Sequence, residues 1–458
     1  MPVSNIFKSV FPYTLETEAE YLLMDDNRID KMIQDAHKAF KSWSKTSFSE
    51  RAGIFKNVSF LLRRDLESLA VLITREMGKI ISESRAEVEK CAAASEYYAE
   101  HAELFLADEK VMAGYTKSFI SYEPIGVVLG IMPWNFPFWQ VFRYAAPTLM
   151  AGNTTLLKHA PNVCGCALAL EKIFLEAGAP VGVFTTMIID TQSIEKILSS
   201  DLVQAVTLTG SEKAGSSVAS IAGRFIKKTV LELGGSDALI VLPDAPMKQA
   251  VGVALNSRML NAGQSCIAAK RFIVVKKALD DFLNECMIQI RELKQGDPFD
   301  QYNSMGPMAR TDLVNSLKVQ MEKSVEMGAE ILYGGYAGGC NFKPTLLFNV
   351  KNGMPAFDEE TFGPLAAVIV AEDEEGAIQL ANMTGYGLSG SVWTSDTDKG
   401  IAIARKIRTG SVFINTLVKS DPRLPFGGIK KSGFGRELGR QGILEFVNLK
   451  TIAAEDVK

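Results

Sequence analysis

The chain has 458 residues, which is long for one ordinary domain and favours two or three. Hydrophobic residues make up 47% and charged residues 22%, the balance of a soluble globular protein. The formal net charge is -4 and no basic run occurs in the sequence. This charge pattern argues against a nucleic acid or an anionic membrane as a partner.

The cysteines are few and scattered, and no pair has the spacing of a zinc site or a redox pair. They are Cys91, Cys164, Cys166, Cys266, Cys286 and Cys340. Sparse thiols are typical of the reducing cytosol. The first residues show no signal peptide, and prolines interrupt the most apolar stretch, 125–142, which excludes a membrane span. We therefore expect a cytoplasmic protein without a metal site.

The N-terminal quarter is predicted to be helical up to about residue 105. Apolar positions recur three and four residues apart over 29–43 and 49–76, with charges between them. Residues 108–124 contain Gly114 between short runs of β-forming residues. That pattern predicts a hairpin that projects from the body of the protein.

From residue 124 onward, strands and helices alternate, which predicts a doubly wound parallel sheet. The predicted strands are 125–131, 154–158, 183–189, 205–209 and 229–233, and the predicted helices are 139–150, 162–177 and 212–222. A second α/β pattern follows Gly235, with strands at 237–242 and 271–275 and helices at 248–260 and 279–293. The last segment, 446–453, is predicted to be an exposed strand of the kind that pairs with another subunit.

The loop 261–266 ends in Cys266, and a thiolate is the best nucleophile that a side chain offers near neutral pH. A lone intracellular cysteine is more often a small buried residue. Here the presence of Glu232, Asn135 and Glu360 in other motifs favours a catalytic role for Cys266. An acyl-thioester mechanism needs a thiol, carboxylates and an amide donor. Glu232 and Cys266 flank a predicted domain boundary, so the site is expected in a cleft between domains.

These residues stand in short motifs that together resemble the NAD(P)-dependent aldehyde dehydrogenase superfamily. The motifs are Pro133-Trp-Asn-Phe-Pro137, Lys158, Thr209-Gly-Ser211, Glu232-Leu-Gly-Gly235, Gly263-Gln-Ser-Cys266, Glu360-Thr-Phe-Gly-Pro364 and Pro425-Phe-Gly-Gly428. Each motif alone is a weak signal, whereas the ordered set covers nearly the whole chain and is highly specific. Within the superfamily, the segments 156–162 and 233–237 are most similar to bacterial succinate-semialdehyde dehydrogenases.

The resemblance implies an α/β fold of two doubly wound domains with a small β extension for oligomerisation. Residues 1–107 and 125–235 would form the cofactor-binding domain, and residues 236–430 the catalytic domain. Residues 108–124 and 431–458 would supply the hairpin and the C-terminal strand of the extension. A homodimer or a homotetramer is the expected assembly.

The resemblance also implies catalytic roles. Cys266 would attack the aldehyde, and the Asn135 amide with the Cys266 backbone N–H would hold the oxyanion. Glu232 would activate the water that hydrolyses the thioester. Simpler readings are a surface carboxylate for Glu232 and a turn-forming residue for Asn135.

The implied cofactor is NAD or NADP. Lys158 and Glu360 would hold its two riboses, although a lysine that closes an apolar strand is often only a snorkelling residue. Trp134 and Phe362 would line the cofactor cleft, and Ser211 would lie near the diphosphate. The remaining residues assigned to cofactor binding are Met132, Pro133, His159, Pro161, Gly210 and Leu233.

Arg143 is predicted to bind the substrate, because it lies on the helix that leaves the Asn135 loop, a distance of about two helical turns after Asn135. Arginine is found here in relatives that act on succinate semialdehyde, and a guanidinium suits a bidentate grip on a carboxylate. An ordinary ion pair on a helix surface is the alternative. Further residues assigned to the substrate are Trp139, Ser265, Ser420 and Phe426. Leu260 stands where some relatives carry a second arginine, which leaves the chain length of the semialdehyde open.

Pro161 stands where NAD-preferring relatives often carry a glutamate that binds ribose hydroxyls and repels a 2′-phosphate. Proline does neither, so we expect both NAD and NADP to be accepted, with His159 as a candidate phosphate contact. Ile267 and Ala268 follow Cys266, which argues against a local disulfide switch.

The predicted reaction is NAD(P)-dependent oxidation of succinate semialdehyde to succinate, and the alternative is a broad-range aldehyde dehydrogenase. An enzyme that passes the acyl group to CoA is a second alternative, and Glu232 argues against it because such enzymes tend to lack that glutamate. A non-catalytic protein that kept the fold is a third. The presence of both Cys266 and Asn135 argues against it.

Overall fold

A computed structural model describes residues 5–335 and 337–457. The N-terminal elements are β1 (Ile6–Val10), β2 (Thr17–Leu22), α1 (Asp26–Trp43), α2 (Phe48–Arg64), α3 (Leu66–Met77) and α4 (Ile81–Phe105). The prediction of an all-helical N-terminus was wrong for the antiparallel hairpin of β1 and β2. Its second strand is charged and largely exposed, so it lacks the apolar alternation by which a strand is recognised.

Local signals explain where these helices begin and end. The Asp25 side chain accepts a hydrogen bond from the Arg28 N–H at the start of α1. Ser47 and Glu50 form a reciprocal capping box at the start of α2. Gly78, with a φ of 82°, ends α3 in the left-handed conformation that glycine adopts most easily.

The predicted hairpin after α4 is confirmed as β3 (Glu109–Lys110) paired antiparallel with β4 (Lys117–Pro124). The first α/β unit follows it directly. Its elements are β5 (Val127–Ile131), α5 (Trp139–Met150), β6 (Thr154–Lys158), α6 (Cys164–Glu176), β7 (Phe184–Thr186), α7 (Ser193–Ser199), β8 (Val203–Thr209), α8 (Glu212–Arg224) and β9 (Lys228–Glu232). Among these, α7 was not predicted, because its seven residues are too few to show a helical period.

The five strands of the first unit pair in parallel in the order β7-β6-β5-β8-β9, as a doubly wound sheet requires. Strands β5, β6 and β8 are almost entirely buried. Their continuous apolar runs therefore match a sheet covered on both faces. Lys158, Thr209 and Glu232 each occupy the carboxyl end of a strand, where such sheets bind ligands.

The second α/β unit starts with β10 (Asp237–Val241), which directly follows the first sheet. The other elements are α9 (Met247–Met259), β11 (Ala269–Val275), α10 (Leu279–Ile290), α11 (Thr311–Glu326), β12 (Glu330–Tyr333), β13 (Ala337–Gly338), β14 (Asn341–Phe342), β15 (Thr345–Phe348), α12 (Pro355–Asp358), β16 (Leu365–Ala371), α13 (Glu374–Asn382), β17 (Gly390–Trp393), α14 (Thr397–Ala404) and β18 (Phe413–Ile414). The sheet order is β12-β15-β16-β11-β10-β17-β18, and only the edge strand β12 runs antiparallel within the described residues.

The C-terminal elements are β19 (Gly433–Phe434), α15 (Gly439–Leu444) and β20 (Val447–Ala454). Strand β19 pairs antiparallel with β9, with Gly433 opposite Glu232, so residues 433–434 belong to the first sheet. The predicted boundary of the extension at residue 431 was therefore too early. Strand β20 pairs with β4 of its own chain over Val447–Ala454, and the order β20-β4-β3 leaves β20 at the edge.

Within the described residues, none of the helices has the length and apolar character needed to cross a membrane. The same residues contain no cluster of histidine, cysteine or acidic side chains that could hold a metal ion. All six cysteines are unpaired thiols.

Candidate active site

The loop that carries Cys266 is held in an uncommon backbone conformation. Asn261, Ala262 and Gly263 have φ values of 56°, 50° and 72°, so three successive residues are left-handed. Side chains other than glycine rarely adopt this region, and strain of this kind is concentrated at functional sites. A Cβ on Gly263 would lie 2.3 Å from the carbonyl carbon and oxygen of Gly363. Only glycine fits at this close approach.

Several buried groups hold the strained loop in place. The Asn261 side chain donates to the Asn135 carbonyl at 2.7 Å, and the Gln264 side chain accepts from the Ala309 N–H at 2.8 Å. The ammonium of Lys270 donates to the carbonyls of Ser265 at 2.9 Å and Cys266 at 2.6 Å. Because these contacts come from both α/β units, the position of the cysteine depends on their packing.

Cys266 lines a pocket that extends along α4, α5 and the segment 417–426. Burial raises the pKa of its thiol to about 11, while the charges of Arg143 and Lys270 act in the opposite direction. In this state the thiol is therefore protonated near neutral pH. The nearby cations favour the thiolate, which is the form that reacts.

The side chain of Asn135 is buried and tied to the cysteine loop. One of its amide N–H groups donates to the Gln264 carbonyl at 3.0 Å, and its oxygen accepts from Gln140 at 3.4 Å. A primary amide has two N–H groups, so a second donor remains for an oxyanion. The predicted role of Asn135 is compatible with this geometry.

Glu232 ends β9 in a buried position, and its side chain is 2% exposed. Neither carboxyl oxygen has a hydrogen-bond partner in the described part of the chain. Burial raises the pKa of Glu232 well above its usual value, and Glu437 raises it further. A buried carboxyl group whose pKa is raised in this way is suited to general acid–base catalysis.

Arg143 is fully buried, so the alternative of a surface ion pair was wrong. Its Nε lies 2.7 Å from a carboxyl oxygen of Glu437, and its guanidinium carbon lies 4.3 Å from the centre of the Phe426 ring. Arg143 and Phe426 both line the pocket that contains Cys266. Arg143 therefore faces the pocket that contains Cys266 and also forms a buried ion pair.

The remaining predicted substrate residues, Trp139, Ser265 and Ser420, line the same pocket. Ser420 Oγ accepts a hydrogen bond from the Trp139 indole N–H at 2.9 Å. It also accepts one from Lys90 Nζ at 2.8 Å. Lys90 lies on α4 and was not predicted.

On the cofactor side, Trp134 and Phe362 form an edge-to-face pair with ring centres 5.8 Å apart. Glu360 accepts a hydrogen bond from the Gly235 N–H at 3.1 Å and lies 3.4 Å from Lys270 Nζ. These contacts place Glu360 at the junction between the two α/β units.

Comparison with known proteins decides the family. The model of the aldehyde dehydrogenase family matches residues 2–452. This chain belongs to the aldehyde dehydrogenase family.

Individual relatives agree with that assignment. The chain is 44% identical to a succinate semialdehyde dehydrogenase, NAD(P)+, of Escherichia coli, covering 93% of this chain and 92% of the relative. It is 43% identical to a succinate-semialdehyde dehydrogenase, NADP(+), of Mycobacterium bovis over 99% of each chain. The crystal structure of a succinic semialdehyde dehydrogenase from Streptococcus pyogenes with NADP+ has a TM-score of 0.96 and 37% identity, covering 98% of this chain and all of the other. The predicted fold and the predicted class, an NAD(P)-dependent aldehyde dehydrogenase, are confirmed.

Several features of this aldehyde dehydrogenase suit a dinucleotide. Lys158 is 6% exposed at the end of β6, and no carboxylate among the described residues pairs with its ammonium. Burial lowers its pKa, so a neighbouring anion or ribose hydroxyl would stabilise the charged form. Ser211 caps the first turn of α8 beside Gly210, and helix N-termini of this kind favour phosphate. These residues fit NAD or NADP.

The other predicted cofactor residues surround this region. Met132 is buried, and its N–H donates to the Lys158 carbonyl at 3.0 Å. Pro133 is partly exposed, and Pro161 is exposed at the start of a 3-10 turn after β6. Leu233 packs closely against Gly215 of α8, where a Cβ would lie 2.6 Å from a Leu233 methyl carbon.

The predicted phosphate contact of His159 is not compatible with its position. Its Nε2 donates to the Pro137 carbonyl at 2.8 Å, and its Nδ1 accepts from the Ala160 N–H at 2.9 Å. Burial lowers the pKa of His159 to about 4. The ring is therefore neutral with both nitrogens engaged, and it orients the loop after β6 instead.

Sequence reasoning missed Lys90, Glu437, Lys270 and Gln264. Each contacts a predicted site residue that is distant in the chain: Gln264 contacts Asn135 at a separation of 129 residues, and Lys90 contacts Ser420 at a separation of 330 residues. Lys270 contacts Glu360, and Glu437 contacts Arg143. Glu437 ends the glycine-rich stretch 425–437 near the C-terminus, which begins with the motif Pro425-Phe-Gly-Gly428. A charged residue among glycines was the one available signal for it.

Proposed function

We propose that this protein oxidises succinate semialdehyde to succinate, with NADP or NAD as the cofactor. One observation carries the choice of substrate: the buried guanidinium of Arg143 lines the same pocket as the Cys266 thiol. A pocket that joins a nucleophile to a buried cation suits an aldehyde with a carboxylate at its far end. The names of the relatives support the same substrate.

The chain's own residues supply most of the chemistry. Cys266 loses its thiol proton to water, and Sγ then forms the bond to the aldehyde carbon. The free amide N–H of Asn135 and the Cys266 N–H donate to the oxygen that becomes negative. Bound NAD or NADP supplies the hydride acceptor. Glu232 takes a proton from the water that cleaves the resulting thioester, which releases the acid and restores the thiol.

The proposal for the two cofactors rests on the adenosine side of the cleft. Pro161 offers no side-chain carboxylate that would repel a 2′-phosphate, and Lys158 has no carboxylate partner among the described residues. Both features permit NADP without excluding NAD.

Steady-state kinetics test the function directly. The values of kcat/KM are measured for succinate semialdehyde, glutarate semialdehyde and butanal, each with NAD and with NADP. We expect succinate semialdehyde to be preferred over butanal by at least about 30-fold, the value of a charged contact of about 2 kcal/mol. Comparable values for butanal would contradict the proposed substrate and favour a broad-range aldehyde dehydrogenase.

We further propose that the protein is cytoplasmic and assembles as a homodimer or a homotetramer. The six free thiols support a reducing compartment. The unpaired outer edge of β20 supports an interface between subunits. Light scattering of the purified protein gives its mass, and a monomer would contradict the assembly.

A further inference from the structure

Lys90 places an ammonium group in the substrate pocket, on a helix remote in sequence from every motif. Its side chain extends from α4 into the pocket that contains Cys266 and Arg143. Lys90 Nζ donates to Ser420 Oγ at 2.8 Å and lies 4.1 Å from the centre of the Trp139 ring. The ammonium is therefore held in one position by a hydrogen bond and a cation–π contact.

The hydrogen bonds around Ser420 leave only donors facing the pocket. Ser420 Oγ accepts from both Lys90 Nζ and the Trp139 indole N–H, and this uses its two lone pairs. Its own hydroxyl hydrogen must then be donated elsewhere. Lys90 has two further N–H groups beyond the one that contacts Ser420. This group of side chains can donate to a ligand and has no acceptor left, as an anion site requires.

The charge of Lys90 is also uncompensated. In the described part of the chain, no carboxylate lies within ion-pair distance of its ammonium, whereas Arg143 is paired with Glu437 at 2.7 Å. The acidic residues of the pocket are engaged elsewhere. Glu87 pairs with Lys79 and accepts the Phe138 N–H at 2.8 Å.

Glu83, the other acidic residue of the pocket, accepts the Asn261 N–H at 3.1 Å. Lys419 also lines the pocket, but it is exposed to solvent at the edge. Lys90 is thus the partly buried cation of this pocket that lacks an anionic partner among the described residues.

The electrostatic surroundings show the consequence. Burial, and then the charge of Arg143, lower the pKa of Lys90 to about 8, while Cys91, Glu87 and Asp421 act in the opposite direction. A bound carboxylate would offset both the loss of solvation of the ammonium and its repulsion by Arg143.

We propose that Lys90, with the Ser420 hydroxyl, binds the carboxylate of the substrate and is a specificity-determining residue of this enzyme. The inference rests on the proposed function and deepens it. Arg143 keeps the role that the proposed function gives it, and Lys90 adds a second cation to the same pocket. The preference for an anion then comes from both cations together.

The test compares Lys90→Met with the wild type on succinate semialdehyde and on butanal. We expect KM for succinate semialdehyde to rise roughly 10- to 150-fold, the range for a lost hydrogen bond to a charged group, with kcat little changed. KM for butanal should change less than about twofold, because butanal has no carboxylate. Lys90→Arg, which keeps the charge, should recover part of the affinity.

Lys419→Met is the matched control, since it removes the same charge from the exposed edge of the pocket. Its KM for succinate semialdehyde should change less than about threefold, because exposed charges are screened. Equal losses for both aldehydes in Lys90→Met, or equal losses in the two methionine variants, would overturn the assignment.

The pH dependence gives a second readout that a purely structural role would not move. Lys90 carries its charge below pH 8, so kcat/KM for succinate semialdehyde relative to butanal should fall as pH rises through about 8. Lys90→Arg should abolish this fall, because arginine keeps its charge. If kcat/KM for succinate semialdehyde relative to butanal still falls through pH 8 in Lys90→Arg, the proposal is contradicted.

The proposed function and the role of Lys90 are contradicted by different results. If the wild type does not prefer succinate semialdehyde over butanal, the proposed function is wrong. If the wild type shows that preference and Lys90→Met keeps it, only the role of Lys90 is wrong. NADP affinity and the melting temperature, measured on the same samples, show that each variant is folded and binds its cofactor.

Discussion

Glu232 and Glu437 are both buried beside Arg143, yet the two carboxyl groups have opposite relations to it. Glu437 forms an ion pair with the guanidinium at 2.7 Å, whereas Glu232 forms no ion pair among the described residues. Glu232 therefore destabilises the fold once it ionises, and Glu437 stabilises the fold by neutralising Arg143. The proposed role of Glu232 in catalysis accounts for a buried carboxyl group that lowers stability.

Substituting Glu232→Gln is expected to raise the melting temperature at pH 8. The pKa of Glu232 is raised in the folded state, so the stability that its protonated form contributes is lost as pH climbs above the ordinary value of 4.5. Calorimetry from pH 5 to pH 9 should show the difference from wild type shrinking toward pH 5. A variant less stable than wild type at pH 8 would contradict this reading.

Substituting Glu437→Gln provides the matched comparison and should act in the opposite direction. It leaves the Arg143 charge buried and unpaired, which costs about 3 kcal/mol of unfolding free energy. Urea unfolding measures the free energy of unfolding of both variants. Equal stabilities would show that the two carboxyl groups are not distinguished by Arg143.

The raised pKa of Cys266 predicts how the thiol reacts without cofactor. Because the pKa is about 11, the rate of alkylation by iodoacetamide should keep rising from pH 7 to pH 10. Mass spectrometry follows the modification of the peptide that contains Cys266. A plateau near pH 8 would mean that Arg143 and Lys270 outweigh burial.

At the scale of the element, the loop 261–266 depends on one glycine. Gly263→Ala puts a Cβ against the backbone of Gly363 at a φ of 72°, and should cost about 1–3 kcal/mol of stability with a large loss of activity. The control is Gly53→Ala in α2, where a Cβ meets nothing within 4 Å. That control should be neutral or stabilising by up to about 1 kcal/mol. Equal effects of the two changes, measured by urea unfolding and turnover, would contradict this view of the loop.

Some helices and strands could be predicted from the sequence and others could not. Helix α5 and strand β6 have the predicted bounds, because a buried helix and a strand buried on both faces have long, clean apolar patterns. The hairpin of β1 and β2 was missed because the side chains of β2 are charged and mostly exposed. Lys90 was missed for a different reason. On α4 it shows only helical periodicity, and its role appears only when Ser420 folds against it.

At the scale of the whole molecule, the two sheets meet at the site, and the C-terminal strand completes a small separate sheet. Residues Val447–Ala454 pair with Lys117–Pro124 along their full length. The motifs predicted the two units, whereas the return of 433–434 to the first sheet could not be predicted because two residues carry no periodicity.

Truncation after Phe446 removes β20 and leaves the long edge of β4 unpaired. An unpaired edge strand promotes aggregation, so we expect loss of the native assembly and precipitation on mild heating. Truncation after Asp456 keeps β20 and serves as the control. Light scattering measures the mass of the assembly for both proteins. An unchanged assembly in the shorter protein would contradict a role for β20.

The most direct test of the proposed reaction at Cys266 is to trap the covalent intermediate. Glu232→Gln is mixed with succinate semialdehyde and NADP, and the protein is digested and analysed by mass spectrometry. We expect one succinyl group on Cys266, because the thioester forms but its hydrolysis is slow without the carboxylate. Continued turnover with an unmodified Cys266 would contradict both the nucleophile and the base.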